Sequence, residues 1–174
     1  REYLRRVRSS ARDLRRAGWL TAADERELVA DARARTIQFG EVNSAALPAG
    51  SGPVTVTVGR DGGVWFTAGQ GNYIGRLNAD GTQLRRFPLP QPNSAPRIIA
   101  SGADGNLWFS EHEGNRIGRL TPRGELTEFP IPTPGSQPRA IALGADGNIW
   151  FGEFAAGKIG RITPAGVIDR KSVV

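Results

Sequence analysis

The stretch "GADGNLWFSEHEGNRIGRLTP", Gly102 to Pro122, returns almost unchanged as "GADGNIWFGEFAAGKIGRITP", Gly144 to Pro164. A looser copy, "GRDGGVWFTAGQGNYIGRLNA", Gly59 to Ala79, precedes both. Matched positions in and around these phrases keep one spacing. Pro53, Pro96 and Pro138 stand 43 and then 42 residues apart, and so do Asp61, Asp104 and Asp146, Trp65, Trp108 and Trp150, and Gly75, Gly118 and Gly160.

A repeat of this length matches one four-stranded blade of a β-propeller. In the second copy "RIIAS" reads as the innermost strand. The Asp104-Gly105 dipeptide suits the positive φ of a tight hairpin turn, and "LWFSE" is the second strand. "HEGN" turns the chain into "RIGRLTP", "RGE" turns it again, and "LTEFPIP" closes the blade as an outer strand whose prolines an edge position tolerates. Leu-Trp-Phe is apolar on successive residues, so both faces of that strand must be covered, as they are between stacked blades. The three tryptophans are therefore expected in the core. Each blade buries its faces only against a neighbour made to the same pattern. Three blades do not close a ring, and seven at this period need roughly 290 residues, so we expect a fragment: an open arc with apolar end faces.

The chain has 174 residues, no cysteine and no methionine. Disulfides and thiolate metal sites are excluded. No apolar run approaches a membrane span, so no membrane partner is expected, and localisation stays open. The net charge of +6 is carried by 21 arginines and 2 lysines, with ten arginines inside residues 1–35. The basic residues form no long run with interleaved aromatics, so no nucleic-acid partner is expected.

Residues 1–35 follow a different grammar. "EYLRRVRSSARDLRR" places Tyr3, Leu4, Val7, Ala11 and Leu14 on one helical face, and Gly18 suits a left-handed cap. "TAADERELVADARAR" opens with Thr21 and Asp24 three positions on, the pattern of a capping box. Leu28, Val29 and Ala32 give a second apolar stripe, with Trp19 and Leu20 expected in the elbow of an αα-hairpin. Residues 36–168 are then assigned to the blades, with repeats starting at 53, 96 and 138. "TIQFGEV", Thr36 to Val42, is expected as a strand able to complete the last blade of a ring. After Ile168 the sequence "DRKSVV" leaves the repeat and back-translates to the start of a common sequencing adapter. We expect Asp169 to Val174 to be adapter read-through, with a divergent natural tail as the alternative.

The phrases "DGNLWFSE…NRIGRLTPRGELTEFPIPTPGSQP" resemble, almost word for word, the repeats of the virginiamycin B lyase (streptogramin B lyase) family over residues 53–168. The resemblance implies a seven-bladed propeller, monomeric when complete, that opens streptogramin B antibiotics at the ester by elimination with Mg²⁺ assistance. It implies a histidine general base in a "P-H-x-I" context after a blade-opening proline, and a metal-associated glutamate ending the following "W-F-x-E". At the first position this chain has Val54, Arg97 and Arg139; at the second it has Ala68, Glu111 and Glu153. An arginine stays protonated and cannot act as base, though it could pair with the glutamate. The family's base is thus expected in other blades. His112, the sole histidine, lies in the turn "SEHEGN", where solvated surface is the expected environment and a ligand or base beside Glu111 and Glu113 is the alternative.

Two functions follow. One is a C–O lyase of which this chain holds a minority of blades. The other is a non-catalytic propeller that grips a small-molecule ligand in its central channel or a protein partner. Histidines in later blades would favour the first, and the sequence leaves the enzyme reading open.

Overall fold

The structure is a computed structural model that describes residues 2–39 and 45–171. The chain divides into two units, Arg1–Ser44 and Ala45–Val174. The change of grammar at residue 35 falls within the first of these units.

The first unit pairs α1 (Glu2–Arg16) with α2 (Ala22–Phe39). Helix α1 stops at Gly18, whose φ of 78° lets the Trp19 amide donate to the Leu14 carbonyl at 3.0 Å, the hydrogen bond of a Schellman cap. Helix α2 starts in the expected capping box. Thr21 Oγ1 accepts from the Asp24 amide at 3.2 Å, and the Asp24 carboxylate accepts from the Thr21 amide at 2.8 Å, which satisfies two otherwise free amide groups. The seam is narrower than the apolar stripes imply. Ala11 and Ala32 are buried, while Leu14 and Leu28 are exposed and Trp19 is 80% exposed, outside the elbow. A two-helix unit has too little surface to cover a tryptophan at its turn.

The strand expected over Thr36 to Val42 is not formed where it is described. Thr36 to Phe39 continue α2, and the rest of that stretch lies outside the described residues. Adding residues to an existing helix costs little beside nucleating new structure, and a strand of four residues would need a partner.

The second unit holds three four-stranded antiparallel sheets, each in plain sequence order. The first is β1 (Pro53–Val58), β2 (Val64–Ala68), β3 (Tyr73–Leu77) and β4 (Leu84–Pro88). The second is β5 (Pro96–Ser101), β6 (Leu107–Glu111), β7 (Arg116–Leu120) and β8 (Leu126–Pro130). The third is β9 (Pro138–Leu143), β10 (Ile149–Glu153), β11 (Lys158–Ile162) and β12 (Ile168–Lys171). Asp169 to Lys171 thus continue the outer strand, and Arg161 pairs with Asp169 at 2.7 Å. The last three residues of the tail lie outside the described residues.

The matched glycines have a steric cause. A Cβ on Gly75, Gly118 or Gly160 would fall 2.1, 2.1 or 2.3 Å from the ring of Phe66, Phe109 or Phe151 on the neighbouring strand. Blades join through two apolar clusters. Trp65, Ile74 and Leu89 of the first blade meet Ile99, Leu107, Phe109 and Leu120 of the second. Trp108, Ile117 and Ile131 of the second meet Ile141, Ile149, Phe151 and Ile162 of the third. Polar links cross the same interfaces. Thr67 Oγ1 donates to the Arg97 carbonyl at 2.5 Å, and Ser110 Oγ donates to the Arg139 carbonyl at 3.2 Å. Trp65 and Trp108 are wholly buried, as expected, while Trp150 is only half-buried because no blade follows it among the described residues.

Candidate functional site

The first strands β1, β5 and β9 lie beside one another, so their N-terminal ends form one rim of the arc. Each pairs with its second strand through an irregular register at this end, between Pro53 and Val56, between Pro96 and Ile99, and opposite Phe151 and Glu153. A bulge re-aims the side chains beside it. The positions beside it include Val54, Arg97 and Arg139, each the residue that follows a blade-opening proline. The residue before each blade-opening proline is left-handed, Gly52 at φ 54°, Ala95 at 49° and Gln137 at 47°. For alanine and glutamine that conformation is strained. The strain was missed in the sequence, although Gly52 in the first copy was its signal.

Glu111 and Glu153 end β6 and β10 opposite Pro96 and Pro138. Both side chains are fully buried, and neither carboxylate has a hydrogen-bond partner of regular geometry. Gly114 leaves Glu111 its room, since a Cβ there would lie 2.9 Å from Glu111 Oε2. Burial, and then the charge of Glu128, push the Glu111 carboxyl up to about 7; the Ser94 hydroxyl and the Arg116 guanidinium offset this only in part. That hydroxyl also lies 3.2 Å from the Gln91 carbonyl.

His112 is buried, against the solvated position expected of a turn histidine, and is 4% exposed. Its amide donates to the Ala95 carbonyl at 3.2 Å, which draws the turn beneath the loop leading into β5. Its Nδ1 has no partner, and Nε2 lies 3.4 Å from Glu113 Oε1.

The arginines do not pair with the glutamates. Arg97 borders a cavity of about 400 Å³ with Val54, Gly69 and Gln70. Arg139 lays its guanidinium 3.7 Å from the ring centroid of Phe154, a cation–π contact, and its Nε has no acceptor. Phe154 is a contact that a sequence reading centred on glutamates overlooks. Among the described residues no group of three or more His, Asp or Glu side chains could hold a metal ion. A hard divalent cation takes about six oxygen ligands. A single buried carboxylate in each of two blades, Glu111 and Glu153, does not fit such an ion, and these residues alone do not make a Mg²⁺ site.

Sheets joined through alternate faces, with their first strands side by side, define blades of a β-propeller, and the chain carries three of them. Residues 11–173 match the virginiamycin B lyase family, and the chain belongs to that family. It is similar to the structure of virginiamycin B lyase from Staphylococcus aureus, with 43% identity, a TM-score of 0.75, and coverage of 78% of this chain and 46% of that one. A catalytically inactive histidine-to-alanine variant of the Staphylococcus aureus enzyme with quinupristin matches at 44% identity and TM-score 0.71, over 74% of this chain and 43% of that one. Virginiamycin B lyase from Bordetella pertussis is 53% identical over 36 residues, 21% of this chain and 12% of that protein. The chain spans less than half the length of these relatives.

Proposed function

We propose that these blades form part of the wall of a streptogramin B lyase ring, which opens a cyclic ester by C–O elimination. The observation that carries this reading is the buried glutamate ending the second strand in two successive blades, Glu111 and Glu153, each opposite a bulged blade entry. In such an elimination a base removes the α-proton, its electron pair forms the Cα=Cβ double bond, and the Cβ–O bond breaks to release a carboxylate. The opened product keeps the mass of the substrate, whereas hydrolysis adds one water. Arg97 and Arg139 stand where the base would be and cannot take the proton. The base, and the ligands of any assisting Mg²⁺, would come from other blades.

The test is the opening of quinupristin by the whole protein that carries these blades, followed by mass spectrometry. Opening to a product of unchanged mass, abolished by chelating Mg²⁺, is the expected result. The 174-residue chain alone should leave quinupristin intact. Hydrolysis, or intact quinupristin with the whole folded protein, would overturn the lyase reading. Bound but unopened ligand would favour the second reading, a binding propeller. That reading draws support from Arg139, held against Phe154 as an anchor for an anionic or aromatic ligand.

A further inference from the structure

Between the first two blades the repeat leaves out a side chain. Counted from the blade-opening prolines, Gly69 stands where the second blade has His112 and the third has Phe154. Its backbone is not left-handed, so no conformation there requires glycine. A Cβ at Gly69 would lie 3.0 Å from Val54 Cγ2 and 3.3 Å from the Pro96 carbonyl oxygen. Glycine thus keeps open a cavity of about 400 Å³ between the entries of β1 and β5. Both of its walls belong to blades that the chain contains.

Arg97 borders this cavity with an unused guanidinium. The other half-buried arginines of the blades have partners. Arg76 donates to Asp61, Arg116 to the Gly114 carbonyl, Arg119 to the Pro164 carbonyl and Arg161 to Asp169, while Arg139 rests on Phe154. Among the described residues the Arg97 guanidinium has no such acceptor or ring. Its backbone is nevertheless fixed, because the Arg97 carbonyl accepts from the hydroxyls of Thr55 and Thr67. No acidic side chain lines the cavity. Pro53, Val54 and Pro96 give it an apolar wall, and Gln70, lying against Gly52, adds one carboxamide.

A planar guanidinium matches a carboxylate through two parallel hydrogen bonds. A carboxamide beside it can bond a peptide group, and an apolar wall of this size suits a hydrocarbon side chain. We propose that this seam binds a peptide-like C-terminal carboxylate. Arg97 holds the carboxylate, Gln70 the neighbouring amide, and Val54 with the two prolines the side chain. The elimination proposed above also releases a carboxylate, so on that reading the seam holds the opened product and not the closed ester. That role rests on the lyase reading, whereas the binding itself does not.

The test is calorimetric titration of the whole protein that carries these blades, using N-acetylphenylalanine, N-acetylphenylalaninamide and inorganic phosphate. The acid should bind, and the amide, which lacks the charge, should bind at least about tenfold more weakly. Phosphate has neither the amide nor the side chain and should also bind more weakly than the acid. Arg97→Gln should lose the preference for acid over amide. Gly69→Phe should abolish binding by filling the cavity, with Arg97 still in place. Circular dichroism checks that both variants fold, and Arg97→Gln decides alone if Gly69→Phe does not. No binding of the acid, equal binding of acid and amide, or a preference that survives in Arg97→Gln would overturn the proposal. Phosphate bound as tightly as the acid would also overturn it, since the seam would then be a bare anion contact. None of these probes carries an ester. A protein that opens quinupristin but ignores the acid therefore fails this test and remains a lyase.

Discussion

Trp108 donates its indole N–H to Asp104, 3.2 Å away, and so ties the second strand of its blade to the turn before it. The same bond joins Trp65 to Asp61 and Trp150 to Asp146, at 3.1 Å in each case. The aspartate also holds the turn itself, accepting from the Asn106 amide at 3.1 Å and from its side chain at 2.8 Å. Gly102 completes the fit, since a Cβ there would lie 2.7 Å from the indole ring. The Gly-x-Asp-Gly-x-x-Trp phrase that decides the fold is thus a single packing unit.

Replacing Asp104 by alanine leaves the indole donor of a buried tryptophan without its acceptor. The expected cost is about 1–3 kcal/mol, read as a lower urea midpoint at unchanged slope. Asp104→Asn keeps an acceptor oxygen and should lose less.

Gly118→Ala places a methyl group 2.1 Å from Phe109 Cζ, in the centre of the three blades. Overpacking of this kind costs about 1–3 kcal/mol. Because the clash is with one ring, Phe109→Leu should cost less in the Gly118→Ala background than in the wild type. A double-mutant cycle by chemical denaturation reads that coupling directly. Additive effects would mean that the backbone, and not the ring, takes up the strain.

Ala95 lies at φ 49° immediately before Pro96, a conformation that costs an L-residue about 1–2 kcal/mol. Glycine at this position relieves that strain but enlarges the freedom of the unfolded chain. Ala95→Gly should therefore raise stability by at most about 1 kcal/mol, measured as a small rise in Tm. A loss of stability would show that the alanine methyl packs more than its backbone strains.

The blades were legible because each of their determinants is local. The Asp104-Gly105 turn, Trp108 four residues after Asp104 and Gly118 opposite Phe109 all act within one repeat, and the repeat occurs three times. The parts that were not legible depend on distant partners. His112 has the look of a surface turn residue, and only the bond from its amide to the Ala95 carbonyl draws it under the loop. Thr36 to Phe39 alternate as a strand would, yet they follow a helix that extends through them. The Arg97–Glu111 pair that the spacing allows does not form, because the bulge at Pro96 re-aims the arginine while β6 holds the glutamate inside.

Glu111 gives the chain a distinctive dependence on pH. Its carboxyl has a reference pKa of 4.5, and burial and then Glu128 raise it to about 7 in the folded protein. Below pH 4.5 the group is protonated in both folded and unfolded chains and contributes nothing to the difference. Between 4.5 and about 7 the unfolded chain releases the proton while the folded one retains it, so stability falls as pH rises. Above about 7 both are ionised and the penalty is constant, about 3 kcal/mol from the size of the shift. Glu111→Gln keeps the shape and removes the charge. It should leave stability nearly unchanged near pH 4, raise it at pH 8, and flatten the slope between those limits. Urea titrations of both proteins across this range provide the measurement. Parallel curves for the two would mean that the buried carboxylate meets compensating positive charge when it ionises.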